Sequence, residues 1–460
     1  MTATIQQPLG VSNAPGPRGP VAMLRNIRTL QKQAGELFTD LHRAHGDLVR
    51  LPLGPYLTHL NIHPDGVRHV LQDNNANYVR GKMYERFKIF FGTGLLTTDG
   101  EEWRTRRRKV NPLFHRTAIA AMGEQMTEAT GVILDRWQSP ASAGHPVDMV
   151  AEMIDLSLGA LGHLMFGTDL WPQSSRVAPA MAVSLEAMIF KGSVSQMTPD
   201  WVPTRYNRTI RHAKGVLDEA VRAIIADHEA APRQGKPDLV DLLLASRDPD
   251  GGPASSDQGI HDEMKTIFMA GHETTGVGLA WAMYQLAMNP EVQERLAEEV
   301  ESALCGRVPV LADVPNLPYT RQVVDETLRL HPPIWLFPRD AVADDVIAGR
   351  RIPAGSSVFQ CPYVTHRHPD FWTRPDVFDP ERFAPGGQDD RPRFAYFPFG
   401  GGQRQCIGNQ MALLQMQLTI AMTAQRYRLS PAPGGQPEIG TLVSLRPLRG
   451  MGVSIQPRRR

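Results

Sequence analysis

Phe399-Gly400-Gly401-Gly402-Gln403-Arg404-Gln405-Cys406-Ile407-Gly408 is the most informative stretch of this 460-residue chain. Three consecutive glycines permit a tight turn in which backbone N–H groups approach a neighbour closely. Cys406 then stands at the entrance of an amphipathic segment, about Ile407 to Arg426, that carries Met411, Leu413, Leu414, Leu418 and Ile420. A helix N-terminus and a nearby Arg404 both favour the thiolate form. A lone thiolate suits a single metal bond or a nucleophile. The other cysteines, Cys305 and Cys361, are far apart in the chain and read as small core residues.

The rest of the composition narrows the function. Apolar residues make up 42% and charged residues 21%, enough to build a sizeable core. Lys plus Arg at 49 against Asp plus Glu at 48 argues against a nucleic-acid binder, which needs a basic excess. Three cysteines exclude a disulfide framework and a multi-cysteine zinc site, and they fit a reducing cytosol. No apolar run approaches the ~18 to 20 residues that span a bilayer. Residues 1–20 are polar, end in Pro-Gly-Pro-Arg-Gly-Pro and lack signal-peptide character, so a flexible leader and a cytoplasmic protein without a membrane anchor are expected.

The periodicity is mainly helical with a minor β part. Val49, Leu51 and Leu53, then Leu57, Leu60 and Ile62, flank a Gly-Pro turn and predict a hairpin. Helical spacing dominates from about 99 to 231, opening with Asp99 as cap and Glu102 as its capping-box partner. A long helix is predicted over about 256–288, stopped by Asn289-Pro290, and another over about 319–330. Strand-like pieces follow over 341–364, turning at Pro353-Ala354-Gly355. No linker is long enough to divide the chain, so 21–460 reads as one domain.

Phe399 to Gly408 matches the signature FxxGxRxCxG at every defined position, and from about residue 15 onward the chain resembles the cytochrome P-450 family. The resemblance implies a triangular helical body with haem b between the long central helix and the cysteine-bearing helix. It makes Cys406 the axial ligand of the haem iron, which a thiolate enriches in electron density, favouring O–O cleavage. Gly402 and Phe399 would shape the loop around that sulfur, and Arg404 would meet a haem propionate. Glu326-Thr327-Leu328-Arg329 matches the family's ExxR; its charges share one helix face and, with Arg382, imply a buried structural cluster.

Phe268-Met269-Ala270-Gly271-His272-Glu273-Thr274-Thr275-Gly276 lies midway along the long helix, with Met264, Ile267, Phe268 and Gly271 on one inward face. Its glycines lower helicity, and its Thr hydroxyls can bond back to preceding carbonyls. An acid there is costly to bury without a task or a partner. The segment resembles the family's (A/G)GxxT motif. That resemblance implies that Thr274 hydrogen-bonds the oxygen at the iron while Glu273 relays protons. His272-Glu273 opens like a zinc-protease HExxH, but the fifth position is Gly276; no P-loop and no GxSxG is found either.

Trp103 and Arg107 sit at i, i+4 in the family's WxxxR pattern, and Arg339 matches a second propionate arginine. Arg104 and Arg108 fall on another flank, a basic edge suited to an acidic ferredoxin or flavodoxin. The chain ends at Arg460 with no flavin or iron–sulfur segment, so electrons from NAD(P)H are expected through separate redox proteins. By position, Phe90, Phe268, Ala270, Ile334, Leu336 and Leu442 would face an apolar substrate. The expected activity is hydroxylation or epoxidation of a hydrophobic small molecule with O2 by a monomer, with a terpenoid, polyketide or fatty acid as substrate. Alternatives are a desaturase or coupling enzyme of the same fold, and a haem-thiolate sensor without turnover.

Overall fold

A computed structural model describes residues 12–53, 56–190, 201–230, 237–248, 252–387, 390–433, 437–441 and 443–458. The chain divides into two compact units, one of Met1–Glu85, Arg329–Val377 and Gln388–Cys406, the other of Arg86–Leu328, Phe378–Gly387 and Ile407–Arg460.

The first unit combines helix α1 (Pro20–His45) with a five-stranded sheet. Its strands are β1 (Leu48–Leu53), β2 (Tyr56–Asn61), β3 (Tyr78–Val79), β4 (Phe337–Ala341) and β5 (Ser357–Gln360), in the order β1-β2-β5-β4-β3. β1 and β2 form the expected antiparallel hairpin, Val49 opposite Leu60, because the alternating apolar residues turn Leu51, Leu60 and Ile62 inward. β2 pairs in parallel with β5, which is antiparallel to β4. The strand pattern ends sooner than expected: Pro362–Thr365 is a helical turn, since Pro362 cannot donate to a ladder and opens the turn at its first position. In the leader, Ala14 is buried, Pro15 O accepts from Arg50 N–H (2.7 Å) and Pro17 O from the Arg50 side chain (3.4 Å), so residues 14–17 lie against β1.

The second unit is built on helices. The ones that matter here are α2 (Gly100–Val110), α3 (Met149–Phe166), α4 (Arg205–Ala230), α5 (Leu239–Ala245), α6 (Asp257–Met288) and α8 (Asn409–Arg426); α7 (Pro318–Leu330) begins in it. Ser256 caps α6 by accepting from Gly259 N–H (3.1 Å), and Asn289-Pro290 ends it as the sequence predicts. Gly276 does not loosen α6, which is helical throughout. A Cβ there would come within 2.8 Å of the Ile154 Cα, so glycine lets α3 and α6 cross closely.

Three further expectations need correction. Asp99 occupies the N-cap of α2 but makes no side-chain cap bond, and Glu102 instead accepts from the buried Arg106 one turn on (3.0 Å), which needs a counter-charge. Cys305 is exposed, not a core residue, because it ends a helix in the left-handed conformation (φ 49°); Cys361 is buried as expected. Finally, α3 is by length and composition apolar enough to cross a membrane, but two-thirds of it (67%) is buried within the protein, as befits a core helix.

Candidate active site

The residues singled out in the sequence fall in both units. In the first, the cysteine loop follows from glycine geometry. Gly402 has φ +64°, and a Cβ there would lie 1.8 Å from the Leu71 carbonyl oxygen, closer than any side chain tolerates. The loop closes where Cys406 N–H donates to Phe399 O (3.0 Å), leaving the Cys406 side chain exposed. Gly401 passes edge-on to the Phe394 ring, where a Cβ would come within 2.3 Å.

A hydrogen-bonded scaffold ties this loop to α7. Arg329, fully buried, donates to the carbonyls of His366 (2.9 Å), Pro375 (2.7 Å) and Val377 (3.1 Å), with its guanidinium 5.0 Å from the Trp372 ring centre. Phe397 N–H donates to His366 Nε2 (2.9 Å), so Nδ1 carries the ring proton and donates to Arg329 O (3.2 Å). The chain just before the cysteine loop is thereby fixed by the arginine of ExxR. In the other unit Glu326 accepts from Arg382 Nε (3.3 Å) and Asp379 N–H (2.8 Å), which joins two of the three residues of the expected charge cluster.

Arg339 is buried on β4, donating to Pro338 O (2.7 Å), beside Tyr84. Burial would raise the Tyr84 phenol, but the guanidiniums of Arg80 and Arg339 outweigh it and hold the phenol below its ordinary value. Arg80, which no motif flags, lies 4.5 Å from the Tyr84 ring centre. Two guanidiniums at one phenol make a patch suited to a carboxylate. Ile334 and Leu336 of this unit are partly exposed.

In the second unit the centre is α6. From Gly259 to Tyr284 every residue is buried except Ala270, Gly271 and Thr274, which open one small face at i, i+1, i+4. Thr274 Oγ1–H donates to Ala270 O (2.8 Å), the back-bond expected of a threonine in a helix. Glu273, one residue away, is buried; it accepts from Ser444 Oγ–H (2.5 Å) and lies 3.6 Å from Arg446. Burial raises its carboxyl above the ordinary range, against the lowering pull of Ser444 and Arg446. Ser444 and Arg446 lie some 170 residues beyond Glu273 in sequence, and no local pattern points to them.

Trp103 is buried and Arg107 half-buried on α2. Arg106 is internal: it donates to Glu263 (3.3 Å) and Glu102, while Lys109 donates to Ser255 Oγ (2.6 Å). Burial pushes Glu263 up to about 7, against the Arg106 guanidinium. Of the basic run, Arg104 and Arg108 are the exposed members, Arg104 paired with Glu101. Phe90 and Phe268 are fully buried in the apolar core, Phe268 against Phe166 (5.6 Å between ring centres), whereas Ala270 is exposed. Leu442 lies outside the described residues.

The comparisons decide the family. The model of cytochrome P-450 matches residues 15–448. This chain belongs to the cytochrome P-450 family. It is 36% identical to cyclooctatin synthase of Streptomyces melanosporofaciens over 85% of this chain and 84% of the relative. Identity to the cyclooctat-9-en-7-ol 5-monooxygenase of the same organism is 31% (94% and 92%), and to pentalenene oxygenase of Streptomyces avermitilis 30% (85% and 86%). The crystal structure of the cytochrome P-450DA heme domain superposes with a TM-score of 0.86, covering 97% of this chain and 98% of that one at 25% identity. The protein is a cytochrome P-450 monooxygenase, and the family implies haem, a substrate and redox partners. The residues fit that cofactor: the exposed sulfur of Cys406 on a glycine-fixed loop could bond an iron, and buried Arg339 with half-buried Arg80 suits a propionate.

Proposed function

We propose that the protein oxygenates a terpenoid hydrocarbon or terpenoid alcohol, with Glu273 and Thr274 as its proton-delivery pair. The observation that carries the mechanism is a buried carboxylic acid beside the one open face of α6. The names of the three relatives, a cyclooctatin synthase, a cyclooctat-9-en-7-ol 5-monooxygenase and a pentalenene oxygenase, support the substrate class.

Cys406 would ligate the haem iron. Arg404, Arg339 and Arg80, with Trp103 and Arg107, would hold the propionates. The haem supplies two-electron activation of O2, one oxygen atom going into the substrate and the other leaving as water. The chain's own contribution is positional. Burial keeps Glu273 protonated to higher pH than an ordinary carboxylate, so it can donate a proton and recover it. Ser444 holds the carboxyl in place, and the part-exposed Arg446 sets its charge environment. Thr274, its hydrogen committed to Ala270 O, keeps its lone pairs toward the open face and orients the proton donor there.

Electrons would arrive from NAD(P)H through a separate ferredoxin or flavodoxin. The exposed pair Arg104 and Arg108 supports an acidic partner, because Arg106 and Lys109 of that run are bonded internally and Arg107 is half-buried.

The test supplies the holoenzyme with a surrogate ferredoxin system and a panel of cyclic terpene hydrocarbons and alcohols. An oxygenated terpenoid with NADPH consumed in step is expected. In Thr274→Ala the same substrate should still shift the haem spectrum while most reducing equivalents appear as peroxide. Tight coupling in Thr274→Ala would refute the proton-delivery role; turnover of fatty acids alone would refute the substrate class.

A further inference from the structure

The end of α4 and the start of α5 meet at three ionisable side chains that take no part in the chemistry above. His228 lies in the last turn of α4 with its ring wholly buried (0% exposed). Its Nδ1 is 2.9 Å from the Ile224 carbonyl oxygen. A carbonyl only accepts, so Nδ1 carries a proton. In the neutral ring Nε2 is then a bare lone pair, and it faces Asp238 Oδ2 at 2.9 Å. A lone pair against a carboxylate is repulsive. Either the buried ring takes a second proton or a cation stands between the two.

The carboxylates are arranged for the second solution. Asp241 N–H donates to Asp238 Oδ1 and Asp238 N–H donates to Asp241 Oδ2, both at 3.0 Å, in a reciprocal cap of α5. Each carboxylate is thus held by one oxygen. One ligand atom from each of His228, Asp238 and Asp241 lies within 4.8 Å of the others. Neighbouring donors around a cation with bonds of about 2.1 Å stand roughly 3.0 to 3.4 Å apart, in octahedral and tetrahedral geometry respectively.

We propose that His228, Asp238 and Asp241 bind a divalent cation of the zinc class, which fastens the last turn of α4 to the first turn of α5. An imidazole whose Nδ1–H is fixed on a backbone carbonyl is the tautomer that presents Nε2 to a metal. Two carboxylates and a neutral imidazole balance a double positive charge. The nitrogen donor selects zinc-like ions over magnesium or calcium. Both aspartates are half-buried, which leaves an approach for the ion and a position for water. In the contrasting cluster of the first unit, His42, Asp47 and His368, the His368–Asp47 contact needs no cation. There Asp370 N–H donates to His368 Nδ1 (3.2 Å), so Nε2–H is free to donate to Asp47 Oδ1 (3.0 Å).

The experiment measures zinc retained by chelator-washed holoenzyme after equilibrium dialysis at low-micromolar zinc(II), by elemental analysis. Wild-type protein should hold one equivalent more than His228→Gln or Asp241→Asn, and zinc should raise its melting temperature but not theirs. Asp241→Asn keeps an amide oxygen for the Asp238 N–H, so the cap survives if His228→Gln fails to fold. The reduced carbonyl spectrum reports that each variant is intact. Equal zinc content in wild type and Asp241→Asn would overturn the proposal and leave an imidazolium–carboxylate pair.

Discussion

His272 precedes Glu273 on α6, and both of its ring nitrogens are buried without a hydrogen-bond partner among the described residues. Burial alone pulls its pKa from 6.5 down to about 4. The native state therefore holds the neutral ring, while the unfolded chain protonates it near the ordinary value. Because the folded pKa is depressed, the stability tied to the neutral ring is complete above 6.5 and is lost as pH falls toward 4. At 1.36 kcal/mol per pH unit, the gap between 6.5 and about 4 corresponds to ~3 kcal/mol, of which ~2 kcal/mol is gone by about pH 5. His272→Leu removes the titrating group and the unpartnered nitrogens together. We expect it to match or exceed wild type at about pH 7, by up to ~3 kcal/mol, and to widen its lead by ~2 kcal/mol at about pH 5. The assay is guanidinium denaturation of the two holoenzymes at both pH values, followed by circular dichroism and compared as midpoints. Other groups titrate over this range, but they are common to both proteins and cancel in the difference. An unchanged gap between the two pH values would show that the buried ring is charged or has a counter-ion, and would refute the reasoning.

Gly402→Ala should abolish haem incorporation, read as the ratio of haem to protein absorbance, because its Cβ would meet Leu71 O at 1.8 Å. Gly400→Ala at a similar φ of +68°, with the Phe337 ring 3.5 Å away, should lose only the ~1–2 kcal/mol of left-handed strain and keep its haem. Arg329→Lys should also fail to yield holoenzyme: one ammonium cannot serve three carbonyls in separate directions, and breaking this buried network costs ~3 kcal/mol or more. On native holoenzyme a maleimide should add once, at exposed Cys305, and not at all in Cys305→Ser. Cys361, buried with its thiol pushed up to about 12, should react only after unfolding, and native labelling there would contradict the packing.

Much of this protein is readable from local chemistry. Phe399 to Gly408, the caps and stops of α6, and the alternation in β1 and β2 are all encoded within a few residues. Turn geometry, helix capping and strand period act over that same short range. Gly400 and Gly402 share a left-handed φ that glycine adopts without strain, but only at 402 does the Leu71 carbonyl leave no room for a Cβ. Other features depend on what tertiary packing brings alongside. Glu102 abandoned its local capping bond because Arg106, buried against Glu263 from a helix some 160 residues on, required a counter-charge. Glu273 acquires its raised pKa from burial and its anchor from Ser444, and Phe268 turned to Phe166 and the core while Ala270 stayed open. The physical reason is common to all of these. Desolvation and the pairing of buried charge depend on atoms distant in the chain, so a side chain's neighbours, unlike its backbone geometry, exist only once the fold has formed.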